Sequence, residues 1–188
     1  MTLRLVRGTL LCLVLAITLA PSVSSAIQTD SKLTLGEPSA PPGSPVTVPL
    51  TLSVPESVNV GSLEIRLTFP KALLTFTKVE PSGLAVGLDA RVEATVESGP
   101  DAKSSTLRVR VATPGNAGER KPLPAGLLAY IGFTIAKTAK PDTTISLVHV
   151  ATARTTHSDP RPVTPLGIAN GKINVTKPPV PACFFYMH

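Results

Sequence analysis

Hydrophobic and polar residues alternate strictly along one segment in the first half of the chain. Every second residue from Leu63 to Phe69 is apolar, and the residues between them are Glu64, Arg66 and Thr68. A period of two places the apolar side chains on one face of a β-strand and the polar side chains on the other. The pattern therefore predicts a strand with one buried and one solvated face.

Similar short runs recur along the chain and are separated by turns rich in Pro and Gly, as is typical of β-sandwiches. The predicted strands are 31–35, 46–54, 61–69, 73–79, 90–97, 107–111, 127–135, 144–151 and 167–176. No segment after residue 26 has helical periodicity. The sequence therefore predicts an all-β fold, an antiparallel β-sandwich of about nine strands with jelly-roll topology.

Prolines refine this prediction. Pro49 lies inside the strand 46–54 and has no N–H to donate, which favours an edge strand or a bulge. Pro70 ends the alternating strand for the same reason. The segment 113–126 is rich in Pro and Gly and is predicted to be a long loop, the kind of element on which variable contacts are usually made.

The first 26 residues have the features of a secretory signal peptide. Arg4 and Arg7 supply positive charge, residues 10–20 are apolar, and small residues at 24–26 offer a cleavage site. The apolar run is shorter than the roughly 20 residues that cross a bilayer, and no later stretch is long and apolar enough to do so. We therefore expect a secreted, extracellular or cell-surface protein with a signal peptide at 1–26, a sandwich domain at 27–176 and a Pro-led tail at 177–188.

Composition and charge narrow the class of protein. With 43% hydrophobic and 16% charged residues the chain is unlike disordered proteins. Signal cleavage removes Arg4 and Arg7 and lowers the formal net charge by two, from +6 to +4. The remaining basic residues are scattered, so no nucleic-acid partner is predicted. Cleavage also removes Cys12 and leaves Cys183, which can be a free thiol or form an intermolecular bond but no internal disulfide.

The sequence predicts no catalytic site, no metal site and no cofactor. His157, Ser158 and Asp159 are adjacent, and neighbouring side chains on an extended segment point apart and cannot form a triad. His149 has no His or Cys partner at zinc-ligand spacing, and we expect it to be hydrogen-bonded or exposed. A calcium site built from acidic residues of separate loops stays open as an alternative.

Aromatic residues give little sign of a carbohydrate platform, which would need a row of exposed rings. The chain has no Trp. The alternation directs Phe69, Phe76 and Phe133 mostly inwards and places Tyr130 on the opposite face of its strand. A single exposed ring is a poor surface for stacking sugars.

In order and spacing, the segments from 31 to 176 resemble a cohesin domain. The resemblance is carried by 46–52, by 61–69 with 73–83, by 122–135, and by 170–175 as the closing strand. It implies a nine-stranded jelly roll that binds dockerin modules through one sheet face. The corner Phe69-Pro70-Lys71 lacks the acidic residue that cohesins usually carry there, and no contact residue of the family is transferred to this chain.

We therefore expect a secreted, non-enzymatic module for protein–protein adhesion or assembly, with an extracellular or envelope protein as partner and a dockerin-like module as one candidate. A carbohydrate-binding module acting on extracellular polysaccharide is the alternative, followed by an accessory domain of an envelope machine and, last, an enzyme. The predicted contact residues are Glu64, Arg66 and Thr68 on the wet face of the central strand, and Arg120 and Lys121 in the long loop.

Overall fold

A computed structural model describes residues 30–116 and 118–179. The predicted signal peptide, Cys12, Cys183 and most of the predicted tail lie outside the described residues. The strands of the described residues are β1 (Ser31–Leu35), β2 (Ser39–Ala40), β3 (Pro45–Ser53), β4 (Val60–Pro70), β5 (Leu74–Pro81), β6 (Arg91–Ser98), β7 (Ser104–Ala112), β8 (Gly126–Ile135), β9 (Thr143–Thr155), β10 (Leu166–Ala169) and β11 (Gly171–Val175). One short helix, α1, spans Gly83–Val86.

The strands form two sheets. One has five strands in the order β10-β1-β3-β8-β5, and the other has six in the order β2-β11-β9-β4-β7-β6. Most neighbours are antiparallel, whereas β1 with β10 and β2 with β11 are parallel. The all-β sandwich predicted from the alternation is confirmed.

The core lies between the two sheets, and β4 supplies a large share of it. All four of its alternating apolar side chains are at most 3% exposed. Phe69 of β4 packs edge-to-face against Phe133 of β8, with ring centroids 5.2 Å apart, and Phe76 of β5 contacts the same ring at 6.1 Å. The contact between Phe69 and Phe133 joins the six-stranded sheet to the five-stranded sheet, whereas Phe76 and Phe133 belong to the same sheet.

The described residues form eleven strands, where the sequence predicts about nine. The difference comes from the two-residue strand β2 and from the predicted strand 167–176, which is divided into β10 and β11 at Asn170. The helix α1 was not predicted, since four residues are too few to show a helical period. Ser82 caps it by accepting a hydrogen bond from the N–H of Ala85 at 3.3 Å.

Pro49 lies in an interior strand, because β3 pairs with β1 on one side and with β8 on the other. Of the two expectations for Pro49, the edge strand is wrong and the bulge is supported by a register shift between Leu50 and Thr51. The carbonyl of Pro49 accepts a hydrogen bond from Gly36 at 2.9 Å, just after β1 ends. The missing N–H would point to the same side, so proline removes only the reciprocal bond to Gly36, just beyond the end of β1.

His149 corrects a second expectation. It lies opposite Leu67 on the inward face of β9 and is 3% exposed. Within the described residues neither ring nitrogen has a hydrogen-bond partner. Asn170 instead accepts the backbone N–H of His149 through Oδ1 at 3.1 Å. His149 is thus buried without ring partners, because its position has the same parity as the apolar inward residues Ile145 and Leu147.

We expect His149 to make the fold less stable at mildly acidic pH. Burial lowers its pKa below the ordinary value of 6.5. The unfolded chain therefore binds a proton more readily than the folded chain does. The free energy of unfolding is not reduced by His149 above pH 6.5, and it falls as the pH drops towards the folded-state pKa.

Urea denaturation of the wild type and of His149→Leu at pH 7.5 and pH 5.5 measures this effect. The wild type should lose stability between the two conditions, and the variant should lose clearly less. His157→Leu, at an exposed loop position, is the matched control and should behave as the wild type does. Equal pH dependence in His149→Leu and the wild type would contradict the assignment.

Candidate partner-binding surface

The candidate surface is the solvent-facing side of β6, β7, β4 and β9, which we call the outer face. Backbone pairing sets its side chains in rows that cross the sheet. One row places Glu93, Arg110, Glu64 and Thr152 side by side, and the next places Thr95, Arg108, Arg66 and Val150. The outer face therefore combines residues that lie up to about 90 positions apart in the sequence.

Glu64 is the electrostatic centre of the outer face. Arg108 donates two hydrogen bonds to its carboxylate, from Nε to Oε1 and from Nη2 to Oε2, each 2.9 Å long. The Nε atoms of Arg66 and Arg110 each lie 3.7 Å from a carboxylate oxygen of Glu64. One carboxylate thus holds three guanidinium groups in place.

These contacts change the ionisation of Glu64. The hydrogen bonds from Arg108, with the positive charges of Arg108, Arg110 and Arg66, lower the pKa of Glu64 below its ordinary value of 4.5, and partial burial opposes the shift. Arg66 and Arg108 lie directly opposite each other on adjacent strands, an arrangement that is destabilising for like charges. Glu64 compensates this repulsion.

Two exposed valines give the outer face an apolar patch. Val148 is 53% exposed and pairs with Thr68, while Val150 is 61% exposed and pairs with Arg66. Both point outwards from β9 and are separated by the inward His149. Exposed apolar side chains framed by polar residues are a common feature of protein-binding surfaces.

Four of the five residues predicted from the sequence lie on the outer face or at its edge. Glu64, Arg66 and Thr68 are on the outer face. Arg120 lies at one end of this face, where its side chain and that of Glu64 line the same depression. Lys121 is exposed but does not line that depression. Its backbone carbonyl accepts a hydrogen bond from Thr113 Oγ1 at 2.6 Å, a structural contact.

The long loop is anchored rather than loose at the points that the structure describes. Leu123 is buried and donates its N–H to the carbonyl of Val60 at 2.6 Å. Gly118 donates to the carbonyl of Thr156 at 2.7 Å, and Arg120 Nε donates to the carbonyl of Gly115 at 3.0 Å. The first two bonds hold the loop against the start of β4 and the end of β9, and the third lies within the loop.

Other candidate chemistry is sparse in the part of the chain that the structure describes. Within it, no group of three or more His, Cys, Asp or Glu side chains could hold a metal ion, and no helix is long and apolar enough to cross a membrane. His157, Ser158 and Asp159 are all exposed in the β9–β10 connection, and Asp159 lies 3.7 Å from Arg161 Nε. Tyr130, 38% exposed, lies on the other sheet.

The predicted contact residues do not include Arg108, Val148 and Val150, which the structure places on the outer face. The signal for the valines was available, because Ile145 and Leu147 fix the inward parity of β9 and leave even-numbered positions facing outwards. Arg108 could be assigned to a polar strand face, but its pairing with Glu64 depends on the β4–β7 register.

Glu64→Gln should destabilise the protein at neutral pH, because three arginines would then share the face without their carboxylate. Discounting for solvent exposure, we expect a loss of about 1 kcal/mol, or about 2–4 °C in melting temperature. The lowered pKa implies that this contribution is present above pH 4.5 and is lost as the pH falls through the folded-state value.

Thermal unfolding at pH 7 and pH 3.5, in low and high salt, tests this expectation. The difference in melting temperature between the wild type and Glu64→Gln should be largest at pH 7 in low salt. Glu93→Gln removes a carboxylate from the same row that forms no ion pair with the described residues, and it should have little effect. Equal effects of the two substitutions would show that Glu64 has no special role.

Solved cohesin structures share this fold. The OlpA cohesin of Clostridium thermocellum, solved in a type I complex with Doc918, has a TM-score of 0.64 at 16% identity, covering 78% of this chain and 99% of that chain. The third ScaC cohesin of Acetivibrio cellulolyticus, solved in complex with the ScaB dockerin, has a TM-score of 0.61 at 19% identity, with the same coverage of both chains. A non-cellulosomal cohesin from the archaeon Archaeoglobus fulgidus has a TM-score of 0.56 at 20% identity, covering 78% of this chain and 91% of that chain.

At these identities the likeness establishes the fold. No curated protein sequence matches the chain. The model of the cohesin domain matches residues 31–175, which is most of the chain and includes every strand of both sheets. The match spans the region in which the sequence pattern resembles a cohesin, and the chain belongs to the cohesin family.

Proposed function

We propose that this chain is an exported, non-enzymatic binding module that holds a dockerin-like module of another protein on the outer face. The observation that carries the proposal is the pair of exposed valines beside a fixed charge cluster, on a member of the cohesin family. Export is supported by the basic and apolar character of residues 1–26.

The outer face has the physical properties that protein recognition needs. Val148 and Val150 offer apolar area that a partner can cover, and Thr68 and Arg66 beside them offer hydrogen-bond donors and acceptors. Because Arg108 and Glu64 are already bonded to each other, little side-chain entropy would be lost at the centre of an interface. The sheet beneath is buried on its other side and provides a rigid support.

The OlpA and ScaC cohesins described above were solved in complex with a dockerin, which supports this class of partner for the present chain. The predicted contact residues Glu64, Arg66, Thr68 and Arg120 remain part of the proposal. Lys121 is retained as a rim residue, since its side chain is exposed in the same loop as Arg120.

The double variant Val148→Thr/Val150→Thr should weaken dockerin binding at least tenfold, which corresponds to about 1.4 kcal/mol. Threonine keeps the branched shape and the strand propensity of valine but adds a hydroxyl that must be desolvated on binding. The melting temperature should change by no more than a few degrees. Biolayer interferometry against a panel of dockerin modules, including those encoded by the source organism, provides the measurement.

Ile168→Thr is the matched control, because Ile168 is 41% exposed on β10 of the five-stranded sheet. It should leave binding unchanged. Failure of the wild type to bind any dockerin of the panel, or an equal loss from Ile168→Thr, would contradict the proposal. Retention on insoluble polysaccharide without dockerin binding would favour the carbohydrate-binding alternative.

A further inference from the structure

A depression of about 370 Å³ opens at one end of the outer face. Its charged lining consists of Arg91, Arg110, Arg120, Arg154, Glu64 and Glu93. The four arginines come from β6, β7, the long loop and β9, so only the folded chain brings them together. We call this feature the arginine depression.

Positive charge exceeds negative charge in the arginine depression by four guanidinium groups to two carboxylates. Glu64 already accepts both hydrogen bonds of Arg108, which lies outside the lining. Within the described residues, Arg91, Arg120 and Arg154 form no ion pair with a carboxylate. A concave surface with one sign of excess charge focuses the electrostatic field and attracts an ion of the opposite sign.

Two of the guanidinium groups are already oriented by the backbone. Arg120 Nε donates to the carbonyl of Gly115 at 3.0 Å, and Arg154 Nη1 donates to the carbonyl of Pro160 at 3.4 Å. Each bond uses one of the five N–H donors of the guanidinium, so further donors remain for a ligand. Orientation before binding reduces the entropy that a ligand must offset.

The depression is continuous with the proposed docking surface. Thr152 lines it and lies two residues beyond Val150 on the same side of β9, a separation of about 7 Å along the strand. A partner that covers Val148 and Val150 would therefore extend over the depression with its next residues. This continuity connects the site to a protein ligand rather than to a free ion.

We propose that the arginine depression binds a carboxylate-rich segment of the protein partner, next to the valine patch. The inference rests on the proposed function, because it assigns the partner's chemistry at one end of the same face. Arginine forks match planar carboxylates and bind them in pairs of hydrogen bonds. A long sulfated polysaccharide fits less well, since it would extend past the depression along β6, where Glu97 would repel a continuous run of negative charge.

The test uses two peptides, one with three consecutive Asp residues between Gly-Ser flanks and one with Asn at the same positions. NMR titration of arginine Nε–H signals reports which guanidinium groups respond. The Asp peptide should shift the signals of Arg91, Arg110, Arg120 and Arg154 more than that of Arg108, and the Asn peptide should not. The shifts should diminish at high salt.

Arg91→Gln/Arg154→Gln should weaken binding of the Asp peptide at least tenfold. Lys32→Gln/Lys137→Gln is the matched control, because it lowers the net charge by the same two units at exposed positions outside the depression. An equal loss in the control, or an unselective response of the arginines, would overturn the proposal. Binding of a heparin-derived octasaccharide to these arginines with no response to the Asp peptide would also overturn it.

The dockerin panel separates this inference from the proposed function. Dockerin binding by the wild type without an Asp-peptide response overturns the acidic-segment inference alone. An Asp-peptide response at the four arginines, without dockerin binding, supports the depression as a carboxylate site and overturns the dockerin proposal.

Discussion

The strict alternation of β4 is the constraint on which the rest of the structure depends. Because side chains on a strand alternate between faces, the residues that fill the core also determine which residues face solvent. A slip of one position would expose the apolar side chains of this segment and bury Glu64 and Arg66. Pairing with β7 on one side and β9 on the other fixes this register, so core and outer face are specified together.

The outer face shows how a small number of contacts can organise a surface. Like-charged Arg66 and Arg108 are opposite each other, and the bidentate bonds of Arg108 to Glu64 make that arrangement tolerable. Val148 and Val150, which face outwards by the parity of β9, are the exposed apolar area beside this charge cluster. An interface assembled here would combine an apolar patch with polar groups that are already in place.

Much of the fold could be predicted because burial on one side of a sheet imposes a period of two on the sequence. The predicted strands 46–54 and 127–135 correspond to β3 and β8 within about one residue. Where that period is absent, prediction failed: β2 has two residues and α1 has four. His149 was misjudged because its polarity was weighed more heavily than its inward parity.

The candidate surface was predictable only in part. Glu64, Arg66 and Thr68 follow from the alternation of a single strand, whereas the arginine depression needs four separate elements in register. Registers between β6, β7, β4 and β9 depend on loop geometry that the sequence does not display. Arg120 was predicted from its loop, but its proximity to Glu64 became evident only from the folded chain.

A crystal structure of the domain bound to a dockerin module tests the central claim most directly. We expect the dockerin to cover Val148, Val150 and Arg66 on the outer face and to leave the five-stranded sheet in solvent. A dockerin seated on the five-stranded sheet around Tyr130 would contradict it.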